Sequence, residues 1–215
     1  TTPEEHLFVA SQLYAMDIHP QSLAPRYIGE FQKGIDYIGD PALLRSALEL
    51  YAAIARHYGP YKLSVHSGSD KFSIFPLFGE LTDGLFHEKT AGTSYIEAIR
   101  IVARRDPQLY REIHNFALTR FEQDRASYHV TTDLNRIPEV MALPESELEM
   151  LMNETDPRQL IHITYGSVLT ESDSTGKLLF YDRIMDVLDE YEEDHYEALA
   201  SHFGRHIEAL GIGLE

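Results

Sequence analysis

The 215-residue sequence contains no cysteine. A disulfide framework, a zinc ribbon and a cysteine nucleophile are thereby excluded. Positive charge is scarce: 18 Lys and Arg stand against 35 Asp and Glu, a formal net charge of −17. A chain this acidic repels a phosphate backbone, and binding one requires a basic patch, so no nucleic-acid partner is expected. No apolar run reaches the ~18 residues of a membrane helix, so no membrane partner is expected either. No segment has the basic start and apolar core of a leader, which makes the cytoplasm the expected location. Neither G-x-G-x-x-G nor G-x-x-x-x-G-K-[ST] occurs, so the standard nucleotide-binding signatures are absent. The chain opens Thr1-Thr2-Pro3-Glu4-Glu5 without Met, which reads as a trimmed chain or a piece of a longer protein.

What remains is an ordinary globular mix, 43% hydrophobic and 25% charged, with eleven histidines. The repeating pattern is a short apolar run followed by an amphipathic helix. Leu43, Leu44, Ala47, Leu48, Tyr51, Ile54, Ala55 and Tyr58 have helical spacing, with Asp40 as N-cap, Pro41 at the first helical position and Gly59-Pro60 as the stop. Ser94 to Glu97 reads as a capping box opening a helix to about Arg104. Asp106-Pro107 opens another, with Leu109, Ile113, Phe116, Ala117 and Phe121 on one face. Five strand candidates alternate with the helices: Arg26 to Phe31, Lys62 to His66, Leu85 to Lys89, Ala126 to Val130 and Leu160 to Tyr165. The whole predicts one α/β domain over 1–215 with a parallel sheet. Five strands suffice for an open doubly wound sheet. A (β/α)8 barrel needs eight strands, of which this chain supplies about the C-terminal five β/α units.

Functional groups of parallel α/β folds gather at the C-terminal strand ends, and the predicted ends here are polar. His66, His129 and His162 share that register. A single histidine in an apolar strand is more often a hydrogen-bonded core residue, but independent core histidines have no reason to share a position. The three are the preferred ligands for one divalent metal ion, with zinc, nickel or manganese as candidates. Ser67, Gly68 and Ser69 form a tight turn whose free amides at a helix start also suit an anion, reinforced by Lys71. Thr90 begins a similar turn, and Tyr165 follows the last strand. Lys89, at a strand end, is suited to bind a carboxylate or move a proton. Lys33 and Asp36 are weaker rim candidates, and Asp70 adds a carboxylate beside the first turn. His202-x-x-x-His206, with His195 seven residues earlier, puts three histidines on one helix face. A terminal helix favours histidine through its dipole as well, so this set ranks behind the strand-end trio.

Lys62 to Phe72, Lys89 to Ser94, Ala126 to Val130, Arg158 to Gly166 and Phe31 to Asp40 occur in an order that resembles the tagaturonate (fructuronate) epimerase family, and Tyr196 to His206 fits as well. The likeness runs from about Pro25 to the end of the chain. It implies a TIM-barrel-like (β/α)8 fold and a metal-dependent epimerase that inverts C4 of a keto-hexuronate. Family members are about twice this length, so the match is to the C-terminal half, and an N-terminal segment or second chain is the expected partner closing the barrel. The preferred chemistry is retro-aldol cleavage and re-addition. Lys71 or Lys89 would hold the substrate carboxylate, and Asp70, Asp36 and Lys89 are the catalytic candidates. A class II aldolase-type lyase and a non-catalytic sugar-acid-binding or assembly module are the rival readings.

Overall fold

A computed structural model describes residues 1–90 and 92–211. The chain divides into two compact units where one domain was expected. The first comprises Thr1–Gln32, Asp36–Thr90 and the described residues from Phe203 onward; the second comprises Lys33–Ile35 and the described residues from Gly92 to His202.

The first unit carries the sheet. Strands β1 (Ser22–Leu23), β2 (Lys62–Val65) and β3 (Phe86–Glu88) are parallel and lie in the order β1-β2-β3. Leu23 pairs with Leu63, and Val65 pairs with Glu88. Helix α1 (Pro3–Ala15) precedes the sheet, α2 (Pro41–Tyr58) links β1 to β2, and α3 (Phe75–Thr82) links β2 to β3. The cap read from the sequence is present: the Asp40 carboxylate accepts from the Ala42 amide at 2.8 Å, and Pro41 opens α2. Such a cap contributes about 1 kcal/mol. The buried face of α2 is Leu44, Ala47, Leu48, Tyr51, Ala52 and Ala55, and it packs with Tyr61, Leu63, Val65, Ile74 and Phe78.

The second unit is helical: α4 (Thr93–Arg105), α5 (Pro107–Asp124), α6 (Glu145–Leu148), α7 (Thr155–Ile163), α8 (Tyr165–Thr170) and α9 (Tyr181–Glu190). The last helix, α10 (Glu192–Ala209), runs through the division between His202 and Phe203. Asp106 caps α5 by accepting from the Leu109 amide at 2.9 Å. Leu109, Ile113, Ala117 and Phe121 are fully buried, as their spacing predicts.

Three expectations are corrected. Among the described residues the sheet has three strands, not five. Arg26 to Phe31 forms only an isolated bridge, Glu30 to Ile38, and the first strand lies earlier, at Ser22–Leu23. Ala126 to Val130 is the end of a 3-10 turn and a loop, and Leu160 to Tyr165 is helix. Asp156 to Ile163 is buried on every side of α7. A helix buried on every side has no solvent-facing stripe to mark it, and the short run Leu160-Ile161-His162-Ile163 then looks like a buried strand. The Ser94–Glu97 capping box is also absent. Gly92, at φ +92°, is the N-cap of α4, and the Glu97 carboxylate pairs with Arg100 instead. Ala91, inside the expected Thr90 to Ser94 turn, lies outside the described residues. No helix among the described residues is long and apolar enough to cross a membrane.

His114 sits fully buried on α5, with neither ring nitrogen hydrogen-bonded. Burial alone pushes its pKa down to about 4. The unfolded chain takes up this proton near pH 6.5, so His114 penalises the fold progressively as pH falls from about 6.5 to about 4, by about 3 kcal/mol in total. His114→Met removes the penalty. Urea denaturation at pH 7 and pH 4.5 should show a smaller acid-induced loss in the variant than in the parent; equal losses would contradict this assignment.

Candidate metal centre

The register of β2 against β3 sets the centre. Because Val65 pairs with Glu88, the chain leaving β2 turns directly beside the Glu88 side chain. The Lys89 amide donates to the Val65 carbonyl at 3.1 Å, and the Gly68 amide donates to the Lys89 carbonyl at 3.1 Å. Gly68 is required by this approach: a Cβ there would lie 2.7 Å from Glu88 Cγ. Ser67 and Asp70 both take positive φ, +57° and +65°. Non-glycine residues in that region are uncommon and cluster at functional sites. Lys71 holds the turn from inside. It is fully buried, and its ammonium donates to the carbonyls of Gln32 at 2.9 Å and Ser69 at 3.1 Å.

The end of α10 meets this turn within the first unit. The Asp70 amide donates to His206 Nε2 at 3.3 Å, and Glu88 Oε1 lies 3.3 Å from the same nitrogen. The rings of Phe72 and Phe75 flank the imidazole at centroid distances of 4.7 and 5.4 Å. Gly79 on α3 receives the end of the helix; any Cβ there would overlap the Leu210 carbonyl oxygen. His202 lies one turn before His206, at the residue where the units divide. Within the first unit, Asp70 and His206 are both buried and offer potential ligand atoms to one ion within 4.8 Å of each other.

This donor set suits a divalent ion. The His206 imidazole and the Asp70 carboxylate, with the Glu88 carboxyl 3.3 Å from that imidazole, are ligand types of catalytic zinc and related sites. The electrostatics agree. Burial, and next the negative charge of Asp70, push the Glu88 carboxyl up to about 8 against the opposing charge of Lys71. A cation relieves that crowding.

The expected site residues are placed as follows. Ser67, Gly68, Ser69, Asp70 and Lys71 form the turn of the centre, but Lys71 is engaged by backbone carbonyls rather than aimed outward. Lys89 is exposed one residue past β3, and Thr90 follows it half-buried. Asp36 is exposed and clasps the start of α3, accepting from the Ser73 amide at 3.2 Å and the Ser73 hydroxyl at 2.9 Å. Lys33 stands over the Tyr128 ring at 5.7 Å, and Tyr165 is exposed at the start of α8. The shared register that motivated the histidine trio is absent. His66 is an exposed turn residue after β2, His129 is exposed in a loop, and His162 is buried on α7 against Gly34 and Gly92. Among the described residues the potential metal-ligand grouping holds Asp70 and His206 and none of these three. The His202–His206 spacing was visible in the sequence. Glu88 was missed, although its place one residue before the end of the predicted Leu85–Lys89 strand was the available signal.

Comparisons with known proteins agree with one another. The family model described as tagaturonate epimerase matches residues 1–210. The tagaturonate/fructuronate epimerase of Thermotoga maritima is 44% identical over 210 residues, which cover 98% of this chain and 42% of the relative. A native crystal structure of the fructuronate-tagaturonate epimerase of Cohnella laeviribosi is 52% identical with a TM-score of 0.95, covering 98% of this chain and 43% of that one. A glycerol complex of the same enzyme gives a TM-score of 0.96 over the same shares. The chain thus spans less than half the length of the relatives it matches.

Asp70→Ala and His206→Ala should each lower Zn2+ affinity by at least about tenfold, whereas His66→Ala and His129→Ala should leave it unchanged. Equilibrium dialysis with metal analysis reads both. The reverse pattern would return the ligand role to the loop histidines.

Proposed function

The chain belongs to the tagaturonate epimerase family, and from that premise we propose that it carries the metal centre of a sugar-acid epimerase. The reaction is the interconversion of tagaturonate and fructuronate by inversion at C4. The observation that carries the reading is the pair of buried potential ligands Asp70 and His206 in the first unit, within a family match covering residues 1–210. A cytoplasmic location belongs to the same reading.

The ketone of the substrate is at C2, so the C4 proton is not acidic and direct deprotonation is ruled out as an efficient route. Cleavage of C3–C4 avoids it. A base takes the C4 hydroxyl proton, the electron pair of the C3–C4 bond moves toward the C2 ketone, and C4 becomes an aldehyde. The aldehyde turns, the bond re-forms on its other face, and the proton returns. Asp70 and His206 would hold a divalent ion, which would supply Lewis acidity and positive charge toward the substrate oxygens. Glu88, 3.3 Å from His206, is the neighbouring carboxyl available to carry the hydroxyl proton. Lys89 is exposed one residue further and serves the substrate carboxylate, with the Ser67–Ser69 turn beside it. The sheet supports a (β/α)8 reading, because each parallel strand lies next to its sequence neighbour with a helix between. The remaining length of the relatives would then close the barrel.

A chimera tests this. The matching segment of the Thermotoga maritima relative is replaced by this chain and assayed for tagaturonate–fructuronate interconversion. Activity should vanish with a chelator, return with Zn2+, Ni2+ or Mn2+, and fall by at least about a hundredfold on Asp70→Ala. Accumulation of separated cleavage products would instead favour a lyase, and chelator-resistant activity would overturn the metal reading.

A further inference from the structure

The start of α4, in the second unit, is a polar end that the chemistry above leaves unused. Its first helical bond runs from the Ile96 amide to the Gly92 carbonyl at 3.1 Å. The amides of Thr93, Ser94 and Tyr95 precede that ladder, and no side chain caps them. Free amides and the helix dipole favour negative charge there, yet a bare helix start is by itself no site. Thr93 distinguishes this one. It is 0% exposed, and its Oγ1 has no hydrogen-bond partner. A helical Cβ leans toward the N-terminus of its own helix, so the hydroxyl stands beside the free amides. A buried hydroxyl without a partner is costly, and buried polar groups in native proteins are seldom left so. A ligand oxygen at the helix start removes that cost.

The neighbours fit the same use. A Cβ at residue 92 would lie 2.4 Å from His162 Nε2, and one at residue 34 would lie 3.3 Å from the same ring. Glycine at 92, at φ +92°, is therefore what lets the imidazole reach the first turn. Ser94 is exposed and Gly92 half-buried, so the turn meets solvent. The nearest acid on the Thr93 face is Glu97, one turn on, and it is compensated. Arg100 Nε donates to it at 2.8 Å, the Arg158 guanidinium stands 3.9 Å away, and His202 Nδ1 lies at 3.5 Å. Burial lowers the His195 pKa, and the charge of Glu97 offsets part of that lowering. All these residues belong to the second unit. We infer that the start of α4 is a site for a small oxyanion, a carboxylate or phosphate group. The amides of Thr93, Ser94 and Tyr95 and the Thr93 hydroxyl hold it, with the His162 imidazole alongside. The inference does not rest on the metal reading, which uses residues of the first unit.

Amide 15N–1H spectra of the 215-residue chain test the site in three arms: inorganic phosphate, tagaturonate, and sodium chloride at matched ionic strength. The Thr93, Ser94 and Tyr95 resonances should shift saturably with phosphate or tagaturonate and stay in place with chloride. The arm that saturates at the lower concentration identifies the source of the group, phosphate or sugar-acid carboxylate. Thr93→Val removes the hydroxyl and should weaken that binding by about tenfold, whereas Thr93→Ser should hold it within about twofold. If Thr93→Val fails to fold, Thr93→Ala removes the same hydroxyl and should show the same loss. No saturable shift in either oxyanion arm, or equal shifts with chloride, would overturn the site. Parent-like affinity in a folded variant without the hydroxyl would overturn it as well, because the helix start alone would then explain the binding.

Discussion

The hydrogen bond from the Asp70 amide to His206 Nε2 is the contact on which the centre depends. It joins the turn after β2 to the end of α10, two segments 136 residues apart in sequence. Neither segment is placed by local preference alone. The turn needs Lys71 buried beneath it, Gly68 yielding to Glu88, and two non-glycine residues at positive φ. The helix end needs Gly79 to receive the Leu210 backbone and the Phe72 and Phe75 rings to flank the imidazole. Backbone outliers of this kind persist only where surrounding packing over-determines them. Here that packing ends in a group of ligand atoms.

Charge gives the same centre a second logic. A chain of net charge −17 is a poor partner for an anionic sugar unless positive charge is concentrated where the two meet. Among the cations near the turn, Lys71 is spent on backbone carbonyls, and Lys89 is exposed at the end of β3. On the proposed reading a divalent ion supplies the rest. Asp70 and Glu88 then have a reason to be buried side by side, an arrangement that otherwise raises the Glu88 pKa to about 8. Buried like charges are costly without a cation or a proton between them.

Much of the scaffold was legible in the sequence. Caps at Asp40 and Asp106, the apolar faces of α2 and α5, and strands β2 and β3 all follow from local spacing and turn chemistry. One failure has a clear physical origin. Where a helix is buried on all sides, as α7 is, it lacks a solvent-facing stripe and its apolar run reads as a strand. That error gave His162 a strand-end register it does not have, the exposed His129 loop was misread separately, and both drew attention from His202 and His206, whose i, i+4 spacing was plain.

Crystals of the chain grown with Zn2+ and measured across the zinc absorption edge test the central claim most directly. The account predicts one anomalous peak bonded to Asp70 and His206 at about 2.0–2.2 Å. A peak at His66, His129 or His162 instead, or none at the turn after β2, would contradict it.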